Sequence, residues 1–267
     1  MFQFPNIDPV AFYIMNWPVY WYGISYVLAF ITGLLLIKRY NTLFQGPAHP
    51  KIESEHFDNM LTYGILGIIL GGRMGHMFFY DFHTLLHAPL TIFKVWQGGM
   101  AFHGGLIGCI ISVSLYTIRH RLDFLAVADR ACVVVPIGLF YVRIANFINA
   151  ELYGRVTDSA FGIIFPGHLH PRHPSQLYEA FLEGVVLFMI LRFCFGLVIK
   201  RGLRGFIFGL FLLGYGCARF ITEYMREPTD GEFYILGILL SYGQVLTLPM
   251  ILVGLWFMAS SYLKTKK

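Results

Sequence analysis

Charge is scarce in this sequence. Only 13% of its 267 residues are Asp, Glu, Lys or Arg, about half the share found in a soluble domain, which excludes an ordinary water-soluble globule. Cysteine is scarce too. Cys109, Cys132, Cys194 and Cys217 all sit inside apolar runs, with no metal-ligand spacing and no local partner, so they read as packing residues. The N-terminal MFQFPNIDPV has no basic stretch and no small cleavage-type residues, and so does not read as a removable signal peptide. No nucleophile elbow, Gly-Lys-Ser phosphate loop or His-Glu-x-x-His occurs, which removes the usual warrants for serine-hydrolase, P-loop and zinc-protease chemistry. There is no basic patch of the kind that binds nucleic acid, and none is expected as a partner. No internal repeat, inverted or parallel, is visible.

What the chain has is apolar length. It is 57% hydrophobic with a mean hydropathy of +0.62, the composition of a polytopic membrane protein. Abundant Phe and Tyr suit an interfacial aromatic belt. Seven spans are expected, at about 18–37, 58–80, 97–118, 125–149, 176–199, 205–225 and 233–262, each near the roughly 20 residues a bilayer requires. The fold class is therefore all-α, one membrane-embedded catalytic domain over 1–267. The polar loop at about 150–175 forms a small surface subdomain in this reading. Asp129 and Arg130 fall within the fourth span and read as a structural pair, and Pro136 is expected to kink it. Lys38, Arg39 and Lys51 follow the first span, Arg119 and Arg121 the third, Lys200, Arg201 and Arg204 the fifth, and Lys264, Lys266 and Lys267 the seventh. The loop after the sixth is acidic, with Glu227, Asp230 and Glu232. Basic residues favour the cytoplasmic side, which places the N-terminus outside and the C-terminus inside. Gly67, Gly71 and Gly75 in the second span, Gly104 and Gly108 in the third, and Gly205 and Gly209 in the sixth read as small-residue packing faces.

The chain is organised around Gly138–Arg155, GLFYVRIANFINAELYGR. It opens as a membrane-grade helix and ends in a polar cluster. Ionisable and amide groups at bilayer depth are costly and mark function by default. Arg143 and Asn146 share a helical face, and Glu151 follows where Gly154 and Arg155 signal the helix end. The orientation sets the depth of the other polar groups. Arg73 falls in the outer half of the second span, and His103 near the outer end of the third, after Gly98-Gly99. Gln176, Glu179 and Glu183 open the fifth. Tyr215, Arg219, Thr222 and Arg226 form a stripe on the sixth, with Glu223 four residues beyond Arg219, within ion-pair reach. Trp21 and Tyr22 open the first. Six helices thus bring polar groups to one level, toward the outer leaflet. Arginine forks match phosphate, so the layer suits an anionic lipid headgroup. Glu179 and Glu183 read as partners for the arginines rather than as reagents. His103 is a candidate general base near neutral pH; bonding to a carbonyl in a Gly-rich turn is the alternative. His168, His170 and His173 crowd one loop without a carboxylate or cysteine at suitable spacing, so no metal is expected.

These residues carry a resemblance. Trp21-Tyr22-Gly23, GGRMGHMFFY at 71–80, QGGMAFHGGLIG at 97–108, RIANFINAELYGR at 143–155, PRHPSQLYEAFLEG at 171–184 and GYGCARFITEYMREP at 214–228 resemble the prolipoprotein diacylglyceryl transferase family over nearly the whole chain. The resemblance implies a seven-span inner-membrane enzyme of bacteria that needs no cofactor. Its donor is phosphatidylglycerol, a membrane lipid. Its acceptor is the lipobox cysteine of a prolipoprotein still carrying its signal peptide. The essential histidine falls on His103 and the signature arginine, asparagine and glutamate on Arg143, Asn146 and Glu151. The second headgroup arginine and its glutamate fall on Arg219 and Glu223, and the tyrosines on Tyr22 and Tyr215. Arg73 joins the expected substrate-binding set. Ala145 stands where the family more often has glycine, and the loop before Pro171 is short for the family. A flippase for an anionic lipid would use the same arginines without a base but would need access on both faces. A structural scaffold would leave the polar layer unexplained.

Overall fold

Inside a bilayer no water satisfies the backbone, so an apolar run closes its own hydrogen bonds as a helix. The computed structural model, which describes residues 2–227, 232–235 and 238–265, is accordingly built of helices. Pro228, Asp230, Lys266 and Lys267, named above, lie outside the described residues. In chain order the elements are β1 (Phe2–Gln3), β2 (Val10–Ile14), β3 (Trp17–Tyr20), α1 (Trp21–Leu43), α2 (Ser54–Phe79), α3 (Phe82–His87), two 3₁₀ turns, α4 (Phe102–Arg119) and α5 (Phe124–Ile148). They continue with β4 (Ile163–Ile164), α6 (Ser175–Glu179), a π-helical stretch at Ala180–Val186, α7 (Leu187–Lys200), α8 (Phe206–Glu223), β5 (Glu232–Ile235), β6 (Ile238–Ser241) and α9 (Tyr242–Thr265).

Six helices are long and apolar enough to cross a membrane: α1, α4, α5, the continuous Ser175–Lys200 helix, α8 and α9. The second expected span forms as α2, a helix of 26 residues. Its glycines, with Arg73 and His76, leave it less apolar than the other six. Two ends differ from expectation for one reason. Residues 10–20 form the antiparallel β2–β3 hairpin, and 232–241 contribute the antiparallel β5–β6 pair. Short apolar runs rich in Ile, Tyr and Phe suit a strand as well as a helix. Pro136 lies within α5 without ending it.

The chain forms two compact units, Met1–Lys51 with Ala128–Lys267, and Ile52–Val127. In the second unit α2 and α4 pack backbone to backbone. A methyl group on Gly75 would sit 2.9 Å from the Gly104 Cα, and one on Gly104 3.0 Å from the Gly75 Cα. Gly67 and Gly71 face Gly108 at similar range. With no hydrophobic force to drive helices together in lipid, such close contact supplies the association energy.

The first unit is tied at one end by a buried polar knot. Asp129 accepts hydrogen bonds from the Gly205 N–H at 2.7 Å and the Phe208 N–H at 2.8 Å, capping the start of α8, whose first N–H groups otherwise lack partners. The same carboxylate meets His49 Nε2 at 2.8 Å, and Arg130 donates to the His49 and Pro50 carbonyls at 3.0 and 2.8 Å. Asp129 and Arg130 thus fix the α8 cap and the α1–α2 loop, each through partners of its own. The small-residue face of α8 meets α9, where a methyl on Gly209 would lie 2.7 Å from the Gly254 carbonyl oxygen.

Replacing Gly104 by leucine forces α2 and α4 apart. It is expected to cost about 1–3 kcal/mol, read as a lower thermal unfolding midpoint in detergent. Gly23→Ala, where nothing lies within 4 Å of an added methyl, serves as the control and leaves the midpoint in place.

Candidate active site

The C-terminal end of α5 carries Arg143 and Asn146 one helical turn apart. After Ile148 the chain turns through Ala150 and Leu152, both with positive φ (52° and 58°), where a side chain normally avoids the left-handed region. That reversal brings Glu151 back. Asn146 Nδ2 donates to Glu151 Oε1 at 2.7 Å, and the Glu151 N–H donates to the Asn146 carbonyl at 3.1 Å. The expected proximity of Asn146 and Glu151 is thus realised through a turn, which Ser175 Oγ and Gln176 Nε2 hold from α6 by donating to the Leu152 and Glu151 carbonyls.

Arg143 takes different partners. Its Nε lies 3.0 Å from Glu179 Oε2 and its Nη2 3.2 Å from Glu183 Oε2. Both carboxylates are fully buried. Arg219 Nη1 meets Glu179 Oε1 at 2.7 Å, and its Nη2 meets Glu223 Oε2 at 2.8 Å. Arg226 Nη1 adds a third contact to Glu179 Oε1 at 3.0 Å. Glu223 Oε1 accepts from Ser241 Oγ at 3.1 Å. Three guanidiniums and three carboxylates therefore occupy one cluster with balanced formal charge. An isolated buried charge is prohibitive, and removing one member of such a pair typically costs about 3–5 kcal/mol. The π turn at Ala180–Val186 carries Glu183 and adds one residue to the helical turn, a device frequent at functional sites. Tyr215 lies close enough to interact electrostatically with Glu183, Arg143 and Arg219.

An open cleft of about 670 Å³ lies beside Glu151, lined by Pro18, Val19, Tyr20, Tyr22, Gly23, Asn149 and Glu151. The Tyr22 hydroxyl is 3.4 Å from that of Tyr26, and Tyr26 lies within electrostatic range of both Arg143 and Glu151. Behind the cluster the 150–175 segment is stitched down. Gly154 N–H donates to the His173 carbonyl at 2.8 Å, Arg155 N–H to that of Met225 at 2.9 Å and His173 N–H to that of Arg155 at 3.0 Å. Partial burial holds the His173 imidazole below its ordinary pKa, which favours the neutral ring. Arg172 donates to the Gly154 carbonyl and pairs with Glu227.

Arg73 and His103 belong to the second unit. Arg73 is buried and donates to the carbonyls of Gly98 at 2.5 Å and Thr91 at 2.7 Å. Its guanidinium thus holds the segment that precedes α4. His103 occupies the first turn of α4 and is exposed. Among the described residues it makes no hydrogen bond or ion pair, only an edge contact with Phe102 at 5.5 Å; the carbonyl-bonded alternative is not what forms. Arg226 and Tyr26 join the first unit's cluster from outside the expected site set. Their signal was spacing: Tyr26 is four residues from Tyr22 on one face of α1, and Arg226 is seven from Arg219, a helical repeat, although α8 ends at Glu223 and Arg226 lies past it.

The helices and this cluster define the class, a multi-pass membrane protein with a buried arginine–carboxylate centre. A family profile described as prolipoprotein diacylglyceryl transferase matches residues 9–260. A Vibrio cholerae protein named phosphatidylglycerol–prolipoprotein diacylglyceryl transferase is 46% identical over 261 residues, covering 97% of this chain and 93% of the relative. Proteins of the same name from Rhizobium leguminosarum and Legionella pneumophila are 43% and 42% identical, each over 96% of this chain and over 92% and 98% of their own length. The chain belongs to the prolipoprotein diacylglyceryl transferase family.

Gly154 has no room for a side chain: an added methyl would lie 2.8 Å from His173 Cβ and 2.9 Å from its carbonyl oxygen. Gly154→Ala is expected to loosen the 150–175 segment, measured as faster limited proteolysis there and a severalfold loss of activity.

Proposed function

We infer that this chain transfers the diacylglyceryl group of phosphatidylglycerol to the lipobox cysteine thiol of prolipoproteins that still carry their signal peptides. The relationship to enzymes of that name over nearly the full length of both chains carries the reading. The buried guanidinium cluster supplies the means.

The chemistry is displacement at a saturated carbon. The cysteine sulfur attacks the terminal glyceryl carbon of the diacylglyceryl group and forms a C–S bond. The C–O bond to phosphate breaks, and its electron pair leaves with glycerol phosphate. The thiol proton goes to a base, for which His103 is the residue proposed. A free thiol has a pKa of about 8.5, so deprotonation at neutral pH needs such help. No acyl tetrahedral intermediate forms, so the need is charge stabilisation on the departing phosphate. Arg143 and Arg219 are the residues proposed to supply it. Preorganised donors of this kind are worth on the order of 3–4 kcal/mol each. Asn146 and Glu151 hold the turn beside the cleft; Tyr22, which lines the cleft, and Tyr215, within electrostatic range of the cluster, are proposed to contact the substrates. Glu223 holds Arg219 from the same helix. Arg73, expected to bind substrate, holds the segment ahead of His103 within the second unit.

The proposed setting is the bacterial inner membrane. α2 counts as a seventh span, the N-terminus faces outward and the polar layer lies toward the outer leaflet. The basic residues at Lys38–Arg39, Arg119–Arg121, Lys200–Arg204 and Lys264 support that orientation. The whole chain serves as one catalytic domain, with 150–175 as its surface piece. Both substrates arrive from within the bilayer, the lipid from its leaflet and the signal peptide as a membrane helix.

Purified protein, phosphatidylglycerol and a lipobox peptide should yield a peptide whose mass rises by one diacylglyceryl group, and an unmodified peptide from folded protein would overturn the reading. His103→Gln is expected to lower turnover by about 100-fold or more, in the range usual for general-base removal. Arg143→Lys, which keeps charge but loses the fork, is expected to lower kcat by at least about tenfold. Near-normal kinetics from either variant removes that residue from its role.

A further inference from the structure

Glu179 has an unusual number of cationic partners for a carboxylate. It is fully buried, and its two oxygens face Arg143 Nε at 3.0 Å, Arg219 Nη1 at 2.7 Å and Arg226 Nη1 at 3.0 Å. These arginines come from three places in the chain: the C-terminal end of α5, four residues before the end of α8, and three residues past α8. No other carboxylate among the described residues reaches all three. Glu183 contacts Arg143 alone, at 3.2 Å, and its Oε1 is buried with no hydrogen-bond partner. Glu223 contacts Arg219 and, at 3.8 Å, Arg226. A long guanidinium side chain is free to rotate about four bonds, so orientation must come from what grips it. Glu179 takes one nitrogen from each arginine, while Glu183 takes Nη2 of Arg143 and Glu223 takes Nη2 of Arg219 and approaches Nε of Arg226; Nη1 of Arg143 and Nη2 of Arg226 face no carboxylate among the described residues.

We propose that Glu179 is a positioning residue that gathers Arg143, Arg219 and Arg226 into a single three-guanidinium seat for a phosphate, Arg226 being the third anion-binding arginine. This rests on the transferase reading of the site. The carboxylate has two opposed effects. It orients the arginines, which favours the state in which charge develops on the leaving phosphate. It also offsets one of their three charges, which weakens the hold on the phosphodiester before reaction. With Glu179, Glu183 and Glu223 present the cluster is formally neutral. Without Glu179 it carries one net positive charge.

The two effects separate in kinetics. Glu179→Gln, assayed for diacylglyceryl transfer from phosphatidylglycerol in detergent micelles, is expected to lower kcat by about tenfold or more while KM for the lipid stays equal or falls. A general loss of structure lowers kcat and raises KM together, and does not reproduce that split. The inhibition constant of glycerol phosphate, the leaving group itself, which carries the same phosphate without the diacylglyceryl group, is expected to tighten in the variant. If Glu179→Gln does not accumulate as folded protein, Glu179→Asp is measured instead. It keeps the charge but withdraws it by one methylene, and it should lose kcat about tenfold with KM within about twofold of the parent. Unchanged kcat in the variant that is measured, or a rise in KM that accounts for its loss of kcat/KM, overturns the positioning role. Wild-type protein without any transfer overturns the transferase reading instead, so the two failures are told apart by the parent enzyme.

Discussion

The structure turns on one constraint: charged groups inside an apolar protein must find one another. Arg143, Arg219 and Arg226 meet Glu179, Glu183 and Glu223 because any one of them left alone would be too costly to bury. A cluster of this kind is a weak source of stability, since a well-packed apolar replacement is often as stable or more so. Its presence in the first unit therefore calls for a reason other than folding, and anion recognition supplies one that the family relationship supports.

Much of the surrounding architecture serves to hold that cluster. The π turn at Ala180–Val186 carries Glu183 within reach of Arg143. Asp129 caps α8 at its start, which fixes the helix that presents Arg219 near its other end. Ser241, just ahead of α9, donates to Glu223, and Gly243 leaves space for that carboxylate, since a methyl there would come 2.5 Å from Glu223 Oε1. The turn through Ala150 and Leu152 returns Glu151 to Asn146. Each device is local, and each corresponds to a residue type the position requires.

The sequence made the helices legible because apolar runs of bilayer length have few alternatives. It also located Arg143, Asn146, Glu151, Arg219 and Glu223, since charge in such a run is rare enough to notice. The pairings were harder to read. Arg219–Glu223 follows from helical spacing, whereas Glu179 reaching Arg143, Arg219 and Arg226 depends on how three segments pack, which no local pattern encodes. The two hairpins were missed because short aromatic and aliphatic runs satisfy strand and helix templates alike. Asp129 was legible as buried, but its role as a cap for a helix beginning at Phe206 was not, because the partners lie 76 and 79 residues away. Arg73 looked like the other arginines by depth; only the structure shows its guanidinium engaged by backbone carbonyls.

A guanidinium cluster that receives the phosphate of a lipid brings nitrogen and phosphorus close together. The most direct measurement is solid-state NMR of the protein reconstituted in phosphatidylglycerol, with the arginine side chains labelled with ¹⁵N, recording magnetisation transfer between guanidinium nitrogen and lipid phosphorus. Transfer is expected from Arg143 and Arg219, the Arg143 signal being identified by its loss in Arg143→Ala. Guanidinium resonances of a folded protein that show no transfer to lipid phosphorus would contradict phosphate binding by the cluster.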